Sequence, residues 1–244
     1  MVTSLNTLIF EIFEDLKITS DDNWIDRRLV EQKIKTQRAT WIRKQHAKDG
    51  YVDSTYLQTI CVPMNLVDRV SCGCEEIDSG CTILKSTKPI PNAIELKNVK
   101  GILKVSSYDI LGIPMTFINF DDVYSWGNGR FNKNKIAFFI KDDNYLYGIH
   151  KDVVENKLLE NVKLTFLPED PREAENFTDC KSGTPCWTAD SAYPINLNLW
   201  ADFVKPKVIQ ELYLIKQTQK DNDNNAKDDL QPTYIPKDDN KNQG

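Results

Sequence analysis

Six cysteines and two histidines are the residues of this chain best suited to chemistry, and their spacing limits what they can do. Cys72, Cys74 and Cys81 lie close together, with Cys61 upstream and Cys180 and Cys186 far downstream. Structural zinc needs four soft ligands in a tetrahedron, normally supplied by paired CxxC knuckles. A CxC followed by one further cysteine, with no second knuckle pair, is a poor match, and no metal ligand is assigned. The first 20 residues have no basic n-region and carry acids among their apolar residues, which predicts a helix rather than a signal peptide. A reducing compartment follows, so the cysteines read as partly buried thiols before disulfides. The sequon at Asn176 then carries no meaning.

Hydrolytic chemistry is no better supported. His46 closes a basic segment and His150 ends a candidate strand. No nucleophile elbow, P-loop or zinc-protease helix is present, and Gly127-Asn128-Gly129 reads as a tight turn rather than a phosphate cradle. Asp121, Asp122, Glu169 and Asp170 are plentiful carboxylates, but an acid pair needs a cleft and a fixed separation. They read as loop residues. No catalytic residue and no cofactor is expected.

Charge is more informative. Arg27, Arg28, Lys33, Lys35, Arg38, Arg43, Lys44 and Lys48 stand against the single acid Glu31 between residues 27 and 48. That segment is +7 in a chain that is −5 overall, so the remainder sums to −12. Such separation suits a subunit that meets copies of itself, an acidic neighbour or nucleic acid. Trp24 and Trp41 lie among the cations, as stacking on single strands would need. Yet the cations form no single stripe and the pI is about 5.2, unlike a dedicated DNA binder. The favoured reading is a solvated or inter-subunit face paired with the acidic remainder. The alternative is an accessory nucleic-acid-binding protein that uses the basic helix 27–48.

The elements that carry these residues follow from periodicity. Leu5, Leu8, Ile9, Ile12, Phe13 and Leu16 repeat at three and four, which predicts an amphipathic helix capped by Thr3 or Ser4. A second helix is predicted from about residues 20–22 to Ala47, stopped at Asp49-Gly50. Its apolar residues spread round the wheel, so it should pack between the first helix and another subunit. From residue 58 the pattern turns to short strands, at 58–62 (ended by Pro63), 93–96, 102–106, 114–120, 135–141, 144–149 and 162–167. Asp142-Asp143 joins two of them as a hairpin. Strands without alternating helices argue for an antiparallel sheet or small sandwich.

Residues 168–192 read as a long irregular loop. A short helix through Ile195, Leu199, Trp200, Phe203 and Val204 follows, then a second with Val208, Ile209, Leu212 and Ile215 on one stripe, Pro206 marking the join. Residues 219–244 are polar, with an apolar island at Leu230, Tyr234 and Ile235 between Pro232 and Pro236. Such an island suits docking on a neighbour. The fold class is thus α+β, divided into a helical region 1–57, a β-rich region 58–192, a C-terminal helix 193–217 and a polar arm 218–244. No run of about 18 apolar residues exists, so no membrane partner is expected.

Several stretches resemble head-to-tail connector or collar proteins of the crAss-like tailed phages, in order and over most of residues 1–217. They are the acidic-hydrophobic first helix, Gln37-Arg38-Ala39-Thr40-Trp41-Ile42-Arg43, Tyr56-Leu57-Gln58-Thr59-Ile60-Cys61-Val62, the Cys72 to Ser86 stretch with Ile90-Pro91, Glu169-Asp170-Pro171, and Tyr193-Pro194-Ile195. The resemblance implies a non-enzymatic virion protein made in the bacterial host cytoplasm. It implies a homo-oligomeric ring, a dodecamer, beneath the portal vertex. The partners it implies are the portal protein, neighbouring tail and collar proteins, and genomic DNA passing non-specifically. A ring uses one side of each subunit against the opposite side of the next. The interface candidates are Arg38, Trp41 and Arg43 on the basic helix, Trp200, Ile209 and Leu212 in the terminal helices, and Leu230, Tyr234 and Ile235 in the arm.

Overall fold

The computed structural model describes residues 3–17, 25–68, 70, 82–97, 99–108, 114–126, 135–141, 143–149 and 159–224. Helix α1 (Leu5–Asp15) starts at Ser4, whose hydroxyl accepts the Thr7 amide at 3.3 Å. It buries Leu5, Leu8, Ile9 and Ile12, the face that the sequence spacing predicts. Helix α2 (Arg27–Asp49) begins later than predicted. Asp26 caps it through the Leu29 amide, and Gly50 ends it at φ 66°, a left-handed turn that costs glycine little.

The middle of the chain is a closed barrel rather than the open sheet or sandwich expected. Nine strands form among the described residues: β1 (Gln58–Asp68), β2 (Thr82–Ser86), β3 (Glu95–Leu96), β4 (Val99–Lys100), β5 (Ile102–Ser107), β6 (Pro114–Phe117), β7 (Ala137–Ile140), β8 (Leu146–Ile149) and β9 (Asn161–Phe166). Seven of them close in the order β1-β2-β8-β7-β6-β5-β9, with β3 and β4 as a separate pair. Every pairing in the barrel is antiparallel except β6 with β7, which is parallel. Closure removes the exposed strand edges that an open sheet would have to protect.

Pro63 does not end β1, which is the strand that makes closure possible. β1 pairs with β9 up to Pro63 and with β2 from Met64 onward. Proline lacks an amide donor, and it falls where the strand changes partner. Its carbonyl accepts from Thr87, and the next amide, from Met64, reaches Glu160. Hairpin β7–β8 forms as Asp142-Asp143 predicts. Asn144 sits in its turn at φ 61°, with its side-chain amide donating to Ile90 O and Asn92 Oδ1 at 2.8 Å each.

Alternation sorts the side chains. Ile60, Val62 and Met64 of β1, with Val162, Leu164 and Phe166 of β9, point into the barrel and join the helical layer in one apolar core. All four residues of β7 are buried. Phe138 and Ile140 face that core, while Ala137 and Phe139 face a second cluster with Tyr147, Ile149 and Val123. Val123 belongs to a 3-10 helix, Phe120–Ser125, which covers the outer side of β7. A strand covered on both faces reads as a continuous apolar run, and this one does.

Cys61 lies on the outer face of β1 and is disulfide-bonded to Cys180, with the Cα atoms 5.3 Å apart. This overturns the expectation of thiols for Cys61 and Cys180. The two residues are 119 positions apart, a separation that gives no local signal, and only the packing of residues 168–192 along β1 brings them together. Cys186 is a free, half-buried thiol whose pKa is raised by burial. Cys72, Cys74, Cys81, His150 and Gly127-Asn128-Gly129 lie outside the described residues.

The C-terminal helix is one long element with an internal defect rather than two helices. An α-turn at Leu197–Leu199, capped by Asn196, runs through a π-helical stretch, Trp200–Val204, into α3 (Lys205–Asn224). Pro206 lies in the first turn of α3, where its missing amide follows the π stretch.

Candidate functional site

The side chain with the most demanding environment is Arg38. It is fully buried on α2, facing the barrel rather than solvent. Nε donates to Pro194 O at 2.7 Å, Nη1 to Pro168 O at 2.8 Å and Nη2 to Tyr56 O at 3.0 Å. Each carbonyl belongs to a junction: Tyr56 leads into β1, Pro168 follows β9, and Pro194 precedes the C-terminal helix. One planar guanidinium with donors fanned in fixed directions therefore pins three chain crossings. Desolvation lowers its pKa, and the nearby Tyr193, Tyr56 and Asp170 act in the opposite direction. The stretches containing Arg38, Tyr56, Tyr193 and Pro194, distant in sequence, meet here.

Two tyrosines border this hub. Tyr193 has its phenol pushed up to about 12 by burial, with the Arg38 charge opposing. Tyr56 is likewise raised to about 12, by burial and then by Asp53, while the hydrogen bond from Asn196 and the charge of Arg38 oppose. Both folded-state values lie above the ordinary value near 10. Their stabilising effect is whole below pH 10 and is lost as pH rises through 12, because the folded state must then carry buried phenolates. The melting temperature should hold to about pH 10 and fall between about 10 and 12. Tyr193→Phe should flatten part of that fall. Tyr147 is raised as well, through burial and Asp143, so the rest remains.

The cations of α2 are largely engaged within the chain. Arg27 pairs with Glu31 at 3.1 Å, Lys33 with Glu211 at 2.8 Å, Lys35 with Asp170 at 3.0 Å and Arg43 with Glu169 at 3.8 Å. Glu169 and Asp170 are thus partners of α2, and Asp170 also caps the 3-10 turn Pro171–Asn176. The second helix packs against α1, α3 and β3 of its own chain, so its mixed apolar faces need no second subunit. A cleft of about 240 Å³ beside it, lined by Arg28, Glu31, Lys35, Asp170 and Arg172, holds opposed charges that pair across it.

Three of the interface candidates act inside the subunit. Arg38, Trp200 and Leu212 are buried, and Trp200 donates its indole N–H to Glu11 at 2.9 Å. Charge, aromaticity and an apolar stripe made them conspicuous in the sequence, and none of these reveals whether a side chain turns inward or outward. Ile209 is half-buried against the core. Arg43 is exposed. Leu230, Tyr234 and Ile235 lie outside the described residues.

Trp41 has the most distinctive setting. It meets Tyr56 edge-on at 5.8 Å and lines a recess of about 160 Å³ with Ile42, Gln45, Tyr51, Val52, Asp53 and Asn196. Tyr51, and Leu197 next to Asn196 in sequence, are 68% and 69% exposed, among the most exposed large apolar residues described. Asn196, which caps the terminal helix, donates to Tyr56 Oη at 2.6 Å and Asp53 at 3.2 Å. Sequence reasoning missed Tyr51 and Leu197, since neither belongs to an apolar periodicity.

The chain matches the family model described as phage tail ring protein 2 over residues 7–230. It is 30% identical over 230 residues to Ring protein 2 of Bacteroides phage crAss001, an alignment that covers 92% of this chain and 97% of that protein. On these two matches, each spanning most of the chain, it belongs to the tail ring protein 2 family of crAss-like phages.

Proposed function

We propose that this protein is a non-enzymatic adaptor ring subunit at the head-to-tail junction. Twelve copies join the portal vertex to the tail and form part of the channel through which DNA is packaged and ejected. The observation that carries this reading is where the charge goes. Four cations of the basic segment pair with acids of the same chain and a fifth, Arg38, is buried. Five of the eight cations of the basic segment are thus unavailable to a ligand and the chain is net −5, which supports weak attraction for a passing genome, since phosphate attraction depends on neutralisation by Lys and Arg. Trp41, Arg43 and Ile209, with Leu230, Tyr234 and Ile235 of the arm, are the interface residues in this reading.

Light scattering after size exclusion, on the protein alone and mixed with the portal protein of the same phage, tests it. A ring-sized species, or co-elution lost on deleting residues 225–244, is the expected result. A monomer that ignores the portal protein but is retained on DNA at low salt, and released by Arg43→Glu with Lys44→Glu, would replace this reading with the nucleic-acid-binding one.

A further inference from the structure

We propose that the recess at Trp41, Tyr51 and Asn196, next to the exposed Leu197 in sequence, receives residues 230–235 of a second copy of this chain. The inference rests on the ring reading and names the contact that links one subunit to the next. Three observations point to this occupant.

The first is the recess itself, a concavity walled by Trp41, Ile42, Val52 and Tyr56 with the exposed ring of Tyr51 at its edge. Open apolar surface gathered around a concavity marks a contact site more than scattered exposure does. The second is charge. Trp41, Lys44, Gln45 and Lys48 share one face of α2 by their spacing of three and four. Lys44 and Lys48 are both exposed beside the recess. The apolar island is bracketed by Asp228-Asp229 before it and Asp238-Asp239 after it. Asp53, an acid in the recess, is already engaged by the Thr55 amide and Asn196.

The third is reach, which directs the segment to another copy. The recess adjoins Asn196, at the start of the terminal helix, while Glu211 further along contacts Lys33 and Gln37. The terminal helix thus runs antiparallel to α2, away from the recess. Residues 197–224 carry its end about 40 Å off at a helical rise of 1.5 Å per residue. Leu230 is six residues beyond Asn224, at most about 21 Å of extended chain. Leu230 thus stops about 20 Å short of its own recess, so the island as a whole cannot seat there, but it can enter that of a neighbour. Repeated from copy to copy, the contact is heterologous, as a closed ring requires. Pro232 and Pro236 restrict the free segment and so reduce the ordering cost of docking.

A dye-labelled peptide of residues 225–240 tests this by fluorescence anisotropy. The host is the full chain with its own segment disabled by Tyr234→Asp and Ile235→Asp. Saturable binding is expected, weakened at least tenfold by Leu197→Asp or Tyr51→Asp, several-fold by Lys48→Glu, and by added salt. Residues 51 and 197 lie outside the core, and a melt on each variant checks that the host is folded. No binding, or equal binding to the parent, Leu197→Asp and Tyr51→Asp hosts, overturns the proposal. A portal or other ring protein that co-elutes with the parent but not with Leu197→Asp, without peptide binding, assigns the recess to that partner and also overturns it. Light scattering on the intact chain separates the two readings. An oligomer that persists in Leu197→Asp removes the docking site and leaves the ring. Peptide binding to a chain that stays monomeric at every concentration, even with the portal protein, keeps the docking site and removes the ring.

Discussion

Arg38→Met should lower the melting temperature by roughly 10 °C, one of the two largest single-replacement effects expected in this protein. Methionine keeps most of the aliphatic stem but supplies no donor, so Pro194, Pro168 and Tyr56 each keep a carbonyl in the interior without its partner. An orphaned buried carbonyl costs about 1–3 kcal/mol. Against that stands the relief of no longer burying a guanidinium, which is considerable because no carboxylate bonds it directly. We expect a net loss of about 3–5 kcal/mol, as when one partner of a buried charged network is removed and the others stay. Lysine should recover only part of it, since an ammonium is a point donor that cannot span three carbonyls lying in different directions. Arg43→Ala is the control: an exposed guanidinium with a 3.8 Å ion pair should change stability by no more than about 0.5 kcal/mol. Thermal melts of the four proteins decide the matter. Arg38→Met melting within two or three degrees of the parent would remove the hub as a stabilising feature.

Reduction of the Cys61–Cys180 bond is expected to have an effect of similar size. The cross-link closes a loop of 119 residues that includes all the barrel strands after β1. In the chain-entropy account, a loop of this length stabilises by up to about 5 kcal/mol, through restriction of the unfolded chain, and measured values commonly fall below that. The melting temperature should therefore drop by several degrees to about 15 °C in a phosphine reductant. Cys61→Ser, Cys180→Ser and the double variant should match the reduced protein and lose their response to reductant. Cys186→Ser should keep that response, since its thiol is free. A melting curve indifferent to reductant would show that the bond contributes nothing to stability. Local effects should be concentrated in residues 177–186. These are otherwise held by main-chain bonds such as Cys186 to Phe177 and by the Asp179 carboxylate, which accepts from Lys181 and Ser182.

Local rules were legible wherever they act within one or two turns of chain. The Ser4 cap and apolar face of α1, the Gly50 stop of α2, the β7–β8 hairpin and the positions of most strands could be read from spacing and turn chemistry alone. The short motifs and their order were equally properties of the sequence. They led to the same family that the alignment over residues 7–230 supports.

The tertiary structure decided whatever depends on distant partners. Closure of the barrel rests on β1 changing neighbours at Pro63, and periodicity cannot distinguish that from a strand that ends there. The disulfide needed two residues 119 apart to meet. Arg38 and Arg43 are five residues apart on one helix and look alike in sequence, yet one is an interior clamp and the other an exposed ion-pair partner. Burial of a charge is set by which carbonyls the rest of the chain brings to it. Sequence by itself therefore determined the first helix, the end of the second, most of the strands and the family, because these follow from near neighbours. The inside and outside of the subunit, and so the candidate contact surface, were decided only when the chain closed on itself.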